Sequence, residues 1–247
     1  MPHISRRQFC GVIVAATVAG CSREKPTDPP LQMGPPLEKS AANEPSFEGV
    51  PEQFQVNFET SKGDFVVQVH RAWSPNGAAR FHELVKSGFY DNCRFFRVMP
   101  DFMAQWGING DPKVMDKWRD ANIPDDQPTG DNRKSNQRGF ITYAKSGAPN
   151  SRSTQLFVSY GDNARLDADG FTPFGQVVEG GMEVVDAINA KHREDPDQGQ
   201  IQVQGNKYLN EAFPDLDYIK KATILDPDAE IKSPDDPKVD APAENEK

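Results

Sequence analysis

Residues 95–105 read FFRVMPDFMAQ, an arginine and a glutamine set among phenylalanines and methionines, with a Pro100-Asp101 turn signal at the centre. A guanidinium in such company is costly to bury without a partner or a task. Both arms suit strand. Strand side chains alternate between faces, so Phe95, Arg97 and Met99 are expected on one face of the first arm, and Met103 and Gln105 on one face of the second. Arg97 and Gln105 would then project over an apolar floor. On spacing alone the plainer interpretation is a hairpin whose arginine caps the edge of a core, because most arginines are structural surface residues.

Outward from this stretch, the chain has the makings of one globular domain with polar extensions. It holds 247 residues, 26% charged and 36% hydrophobic, with a formal net charge of -9. That acidic balance argues against nucleic acid as a partner, since such binding rests on neutralising phosphates. Residues 11–20, GVIVAATVAG, form a short apolar run behind the Arg6-Arg7 pair. The run is too short for a membrane-spanning helix and suits the core of an export signal. Ser5-Arg6-Arg7-Gln8-Phe9 resembles the twin-arginine export motif, with Cys10 where that motif usually has leucine. Val18-Ala19-Gly20-Cys21 resembles a bacterial lipobox, which implies cleavage before Cys21 and a lipid on its thiol. Residues 1–20 are therefore expected to be an export signal, and 21–50, rich in proline and charge, a disordered tether. The folded domain is expected over 51–226, with an acidic disordered tail over 227–247. The mature protein would be an extracytoplasmic, membrane-anchored lipoprotein on the periplasmic side of the cell envelope. Once Cys10 is removed and Cys21 lipidated, Cys93 stands alone, which excludes an intrachain disulfide. Amid Tyr90, Phe95 and Phe96 it reads as a small buried hydrophobe.

Within the domain, Phe54, Val56 and Phe58 alternate with polar residues, as do Phe65, Val67 and Val69; Ser61-Lys62-Gly63-Asp64 between them marks a hairpin. Ser74-Pro75 reads as the N-cap and first position of a helix whose core face carries Ala78, Phe81, Leu84 and Val85, with Gly88 ending it. Residues 109–138 look loop-rich. Strands are expected at 139–144, 154–160 and 171–178, the last at an edge or bulge because of Pro173 and Gly175. A second helix is expected at 181–190, a short one at 206–213, and a closing strand at 218–225. Many short strands with few helices favour a mainly β, closed antiparallel barrel.

Common catalytic constellations are missing: there is no GxSxG elbow, phosphate-binding glycine loop, HExxH or CxxC. The histidines lack ligand spacing, so no metal or cofactor is assigned. What remains is a site of Arg, Gln and apolar side chains. Arginine does not titrate near neutral pH, so such a site would bind a peptide and aim a guanidinium at an amide.

At this point a resemblance becomes informative. FFRVMPDFMAQWG, YAKSGAPNSRSTQLFV and LDADGFTPFG, in that order, resemble the cyclophilin family of peptidyl-prolyl cis-trans isomerases over residues 54–225. The resemblance implies an eight-stranded closed antiparallel barrel capped by two helices. It implies that Arg97 is the catalytic arginine. Phe102, Met103, Phe157 and Leu166 would line the proline pocket, with Phe171 where the family has a histidine. Gln105 would hydrogen-bond the substrate backbone, Ala144 and Lys145 would pair with the peptide main chain, and Gln155 would stand beside Phe157. The implied partners are proline-containing polypeptides, the implied clients are exported proteins, and the expected state is a monomer. Asn163-Ala164-Arg165 stand where eukaryotic members carry a tryptophan before Leu166, which implies weak cyclosporin binding. Ala148 reads as an insertion, and Ala168 or a neighbour as another. An alternative of another class stays open: a peptide-binding or chaperone module with the same barrel and little turnover.

Overall fold

The computed structural model describes residues 44–226; the export signal, Cys21, most of the tether and the acidic tail lie outside them. Eight antiparallel strands run β1 Gln53–Thr60, β2 Gly63–His70, β3 Arg97–Met99, β4 Met103–Trp106, β5 Phe140–Tyr143, β6 Leu156–Ser159, β7 Pro173–Val177 and β8 Ile219–Ile224. They form one sheet in the order β3-β4-β6-β5-β7-β2-β1-β8.

Alternation sets the core. β1 and β2 pair with Phe54 opposite Val69, Val56 opposite Val67 and Phe58 opposite Phe65, and all six side chains are buried. Complete burial of a side chain of this size contributes roughly 1.5–3 kcal/mol. Helix α1, Pro75–Lys86, lays Ala78, Phe81, Leu84 and Val85 on this floor. The Phe81 ring lies 6.3 Å from Phe54, 6.2 Å from Phe58 and 5.0 Å from Phe174. The helix ends at Gly88, whose φ of 68° permits the reversal in which Phe89 N–H reaches Leu84 O. Ser74 is not the side-chain cap its position suggests. Its hydroxyl donates to Asp126, and it is the Asp126 carboxylate that accepts from Asn76 N–H at 2.9 Å and Gly77 N–H at 3.0 Å.

Three expectations are corrected. The sheet is a curled half-barrel, not a closed barrel: β3 and β8 are its edges. The chain just before β3 reaches β8 through the isolated bridge of Arg94 with Tyr218 and through Asn92 N–H, which donates to Ile219 O at 2.8 Å. β3 is three residues long, and Arg193 O already accepts its outward Val98 N–H at 2.9 Å, so β8 has no ladder to join. Second, the helices are not two. Besides α1 there are α2 Pro112–Trp118, α3 Gly181–Asp186, α4 Gln198–Gln204 and α5 Asn206–Ala212 among the described residues. Of the edge or bulge expected at β7, the structure has the bulge: the strand lies inside the sheet between β5 and β2. Its proline is tolerated because the register with β5 shifts between Ile141 and Thr142, opposite Pro173–Gly175. Third, Phe95 does not share the Arg97 face. It precedes the regular strand and packs in the core, 5.4 Å from the Trp106 ring.

Cys93 is buried and free, its thiol donating to Phe89 O at 3.5 Å, and burial pushes it well above the ordinary thiol range. No helix among the described residues is long and apolar enough to cross a membrane.

Candidate active site

The hairpin of β3 and β4 turns at Pro100-Asp101. Phe102 N–H closes the turn on Met99 O at 3.0 Å, and Asp101 takes a φ of 62°, the positive value that a type II turn, with proline at its second position, requires at its third. The turn sets the register: Arg97 stands opposite Gln105 and Met99 opposite Met103. On the other side of β4, Gln105 pairs with Phe157 of β6. Three neighbouring strands thus place Arg97, Gln105 and Phe157 in one row, while Ala104 and Trp106 point into the core. β4 can lie this close to the chain before β6 because it is followed by Gly107, where an added Cβ would fall 2.5 Å from Thr154 O.

This row floors a cavity of about 460 Å³, within the usual size range of ligand sites. Arg97, Phe102, Met103, Gln105, Ala144, Lys145, Gln155, Phe157, Leu166 and Phe171 all line it. The sequence therefore named side chains that the fold brings to one wall. Met103 and Phe157 are nearly sealed from solvent, at 1% and 4% exposure. The Phe157 and Phe171 rings meet edge to face at 6.0 Å, and the Lys145 ammonium stands 5.5 Å from the Phe171 ring. Ala144 N–H is committed to Gln155 O at 2.9 Å, so this segment pairs inward through its donor.

The polar groups form a chain across the cavity. Gln105 Nε2 donates to Gln155 Oε1 at 2.8 Å, and Arg97 Nη1 donates to Gln105 Oε1 at 3.3 Å. The Arg97 side chain keeps 29% exposure, and its guanidinium carbon stands 5.8 Å from the Phe102 ring centroid. Arg165, from the Asn163-Ala164-Arg165 stretch, covers the same ring at 4.6 Å. Chemically this is a half-buried, permanently charged donor at the rim of an apolar pocket, with two amides beside it. No titrating acid–base pair is among these cavity residues.

Ser146, Ser151, Ser153 and Gln198 also line the cavity, and sequence reading missed them. The serines lie within the quoted YAKSGAPNSRSTQLFV motif, where a loop reading gave them no direction. Gln198 opens α4 behind Asp197, whose carboxylate caps Gln200 N–H at 2.7 Å; its one buried residue, Ile201, leaves no apolar period to find.

Fold and site together define a mainly β protein with a charged donor over a hydrophobic slot. Comparison with known proteins gives the family. The family model described as "Cyclophilin type peptidyl-prolyl cis-trans isomerase/CLD" matches residues 55–207. A peptidyl-prolyl cis-trans isomerase of Acinetobacter baylyi is 32% identical over 137 residues, covering 54% of this chain and 70% of that protein. Peptidyl-prolyl cis-trans isomerase A of Dickeya dadantii is 36% identical over 135 residues, covering 53% of this chain and 68% of that protein. The fold is similar to a cyclophilin-type isomerase from Cryptosporidium parvum, with a TM-score of 0.50, 22% identity, 70% of this chain covered and 98% of that one. The chain belongs to the cyclophilin-type peptidyl-prolyl cis-trans isomerase family and is an enzyme of that class.

Proposed function

We propose that this enzyme isomerises Xaa-Pro bonds by donating a hydrogen bond from Arg97 to the prolyl nitrogen of a twisted amide. Rotation about a peptide bond faces ~18–20 kcal/mol because the C–N bond is partly double. For Xaa-Pro the two isomers differ by only ~0.5–1 kcal/mol, so exchange is slow but not one-sided. In the planar amide the nitrogen lone pair is delocalised and accepts poorly; at the twisted transition state it is localised and accepts well. A fixed guanidinium therefore interacts more strongly with the transition state than with either ground state, which is the condition for raising the rate.

The slot of Phe102, Met103, Phe157, Leu166 and Phe171 holds the proline ring while the acyl side turns. Gln105, Gln155 and the main chain of Ala144 and Lys145 hold the rest of the peptide. No covalent intermediate, metal or titrating base takes part. The observation that carries this reading is the position of Arg97: it lines an apolar cavity with its guanidinium partly exposed, beside Gln105. Isomerisation of a Xaa-Pro peptide by the wild type and Arg97→Ala tests it. Loss of one preorganised donor is expected to cost about a hundredfold or more in rate. Equal rates would sink the assignment, and a wild-type rate at background would point instead to a binding module.

The clients are proteins exported across the membrane, and the enzyme is anchored there through a lipid on Cys21. Support comes from the twin-arginine-like and lipobox-like residues of the N-terminus and the Pro-rich tether behind them. Proline isomerisation takes tens of seconds uncatalysed and limits refolding, so a tethered isomerase acts where exported chains fold. Cys21→Ser should release the protein from the membrane fraction, and Arg6→Lys with Arg7→Lys should block its export. A variant at Cys21 that stays membrane-bound, or undiminished export of the double variant, would contradict the corresponding step.

A further inference from the structure

The outer edge of Arg97 is not left to solvent. Between α3 and α4 the chain makes a tight turn against β3, in which Arg193 N–H reaches Ala190 O at 3.2 Å and Asp195 N–H reaches His192 O at 2.9 Å. Arg193 adopts a φ of 49°, a conformation bulky side chains seldom take without surrounding constraint. Two anchors supply that constraint. Arg193 O accepts the Val98 N–H of β3 at 2.9 Å. Lys191 Nζ and His192 Nε2 both meet the Asp215 carboxylate, at 2.9 and 2.5 Å, while the His192 ring stands edge-on to Phe213 at 5.0 Å. The residue this turn presents is Glu194. Its Oε2 accepts from Arg97 Nε at 3.2 Å and from Arg97 Nη2 at 3.1 Å.

We propose that Glu194 is a positioning residue for Arg97, fixing the plane and direction of the guanidinium toward the proline slot. The group is planar with five N–H donors in a fixed fork. Glu194 holds the Nε–Nη2 edge and Gln105 holds Nη1, so rotation about the last side-chain bond breaks contacts on two sides. Each terminal nitrogen keeps a second N–H for the substrate. Glu194 does not itself line the cavity, so its carboxylate braces the arginine from behind without occupying the ligand's place. With Glu194 at 60% side-chain exposure, solvent screens the charge, and an exposed pair contributes little to stability. Its contribution is orientation, to which rates are sensitive at the level of an ångström.

This rests on Arg97 being the donor to the prolyl nitrogen, and the experiment separates the two claims. The full chain is compared as wild type, Glu194→Ala, Glu194→Gln, Arg97→Ala and the Arg97→Ala/Glu194→Ala double variant. The readouts are kcat and KM on a Xaa-Pro peptide, peptide affinity and thermal unfolding. Glu194→Ala is expected to lower kcat roughly five- to tenfold, the scale of coupling between contacting residues, with KM, affinity and Tm unchanged. Glu194→Gln should keep most of the rate, because its amide oxygen still accepts from the guanidinium. In the Arg97→Ala background the Glu194 change should add nothing. Wild-type kcat in Glu194→Ala, an equal loss in Glu194→Gln, or the same loss with Arg97 already gone would overturn the proposal. So would tighter peptide binding in Glu194→Ala, which would make the carboxylate a competitor of the substrate. Arg97→Ala turning over at the wild-type rate would instead remove the mechanism on which the proposal rests.

Discussion

Arg97 and Arg152 lie in two regions of the same sheet-based fold, and their surroundings differ in every respect that matters. The Arg152 side chain is 1% exposed. Its Nη1 donates to Ser74 Oγ at 3.2 Å and its Nη2 to Asp126 Oδ2 at 3.0 Å and to Pro124 O; its Nε faces Asp125 Oδ1 at 3.3 Å. Asp126 in turn caps α1. This guanidinium ties helix, loop and strand approach into one buried network. Arg97 has partners only on its flank and meets a cavity with the rest. A charge enclosed by fixed partners stabilises a structure, and one left half-partnered against an apolar wall is available to a ligand. The motif containing Arg152 and the motif containing Arg97 look equally arginine-bearing in sequence; enclosure separates them.

The sharpest break of this comparison is Arg152→Ala. Removing one partner of a buried ion pair leaves Asp126 unneutralised and should cost about 3–5 kcal/mol, read as a fall in the denaturant midpoint. Unchanged stability would mean the network carries no weight. Arg97→Ala should do the reverse, losing about a hundredfold in rate with its midpoint held; a stability loss comparable to Arg152→Ala would erase the distinction. A smaller effect concerns pH. Arginine stays protonated, so the chemical step should be nearly flat between about pH 6 and 9; a bell-shaped profile would count against the mechanism.

Stability should behave differently. His70 and His82 are both held below the ordinary histidine value, first by desolvation and then by Lys134 and Lys86 respectively. A lowered folded pKa means the unfolded chain takes up protons first as pH falls. The stability these neutral imidazoles contribute is complete above about pH 6.5 and is lost as pH drops below it. Unfolding midpoints at pH 7.5 and 5 should show the decline, and His82→Gln should lessen it. Smallest is the effect expected at the pocket rim. Arg165 covers the Phe102 ring; on the expectation that Asn163-Ala164-Arg165 replace a tryptophan of the eukaryotic members, Arg165→Trp should raise the affinity for cyclosporin while leaving peptide turnover close to wild type. Unimproved binding in a calorimetric titration would place the determinant elsewhere.

Much of the fold was legible from short-range pattern. The alternation of Phe54, Val56 and Phe58 against Phe65, Val67 and Val69 gave the first hairpin its register, and Ser74-Pro75 with Gly88 bounded α1. Less legible was α2: Asp111 caps Lys113 N–H ahead of Pro112, and Met115 and Trp118 are buried. That Asp-Pro start is a helix signal, hidden within a polar run. The polar α4 gave no apolar period at all. At the site, strand parity put Met103 with Gln105 and Gln155 with Phe157. Glu194, by contrast, meets Arg97 across 97 residues of chain, a separation that no local pattern encodes.

The sequence by itself determined which segments are strands, which faces are apolar, and which arginine stands among phenylalanines, because alternation and turn chemistry act over a few residues. Only the tertiary structure decided that the sheet stays open between β3 and β8, that Arg152 is enclosed, and that Arg97 meets a cavity with a carboxylate at its back. The first and last of those outcomes depend on which distant backbone group reaches β3. The Ala190–Asp195 turn satisfies Val98 N–H, leaving the strand edge to it and not to β8, and the same turn carries Glu194 to the guanidinium.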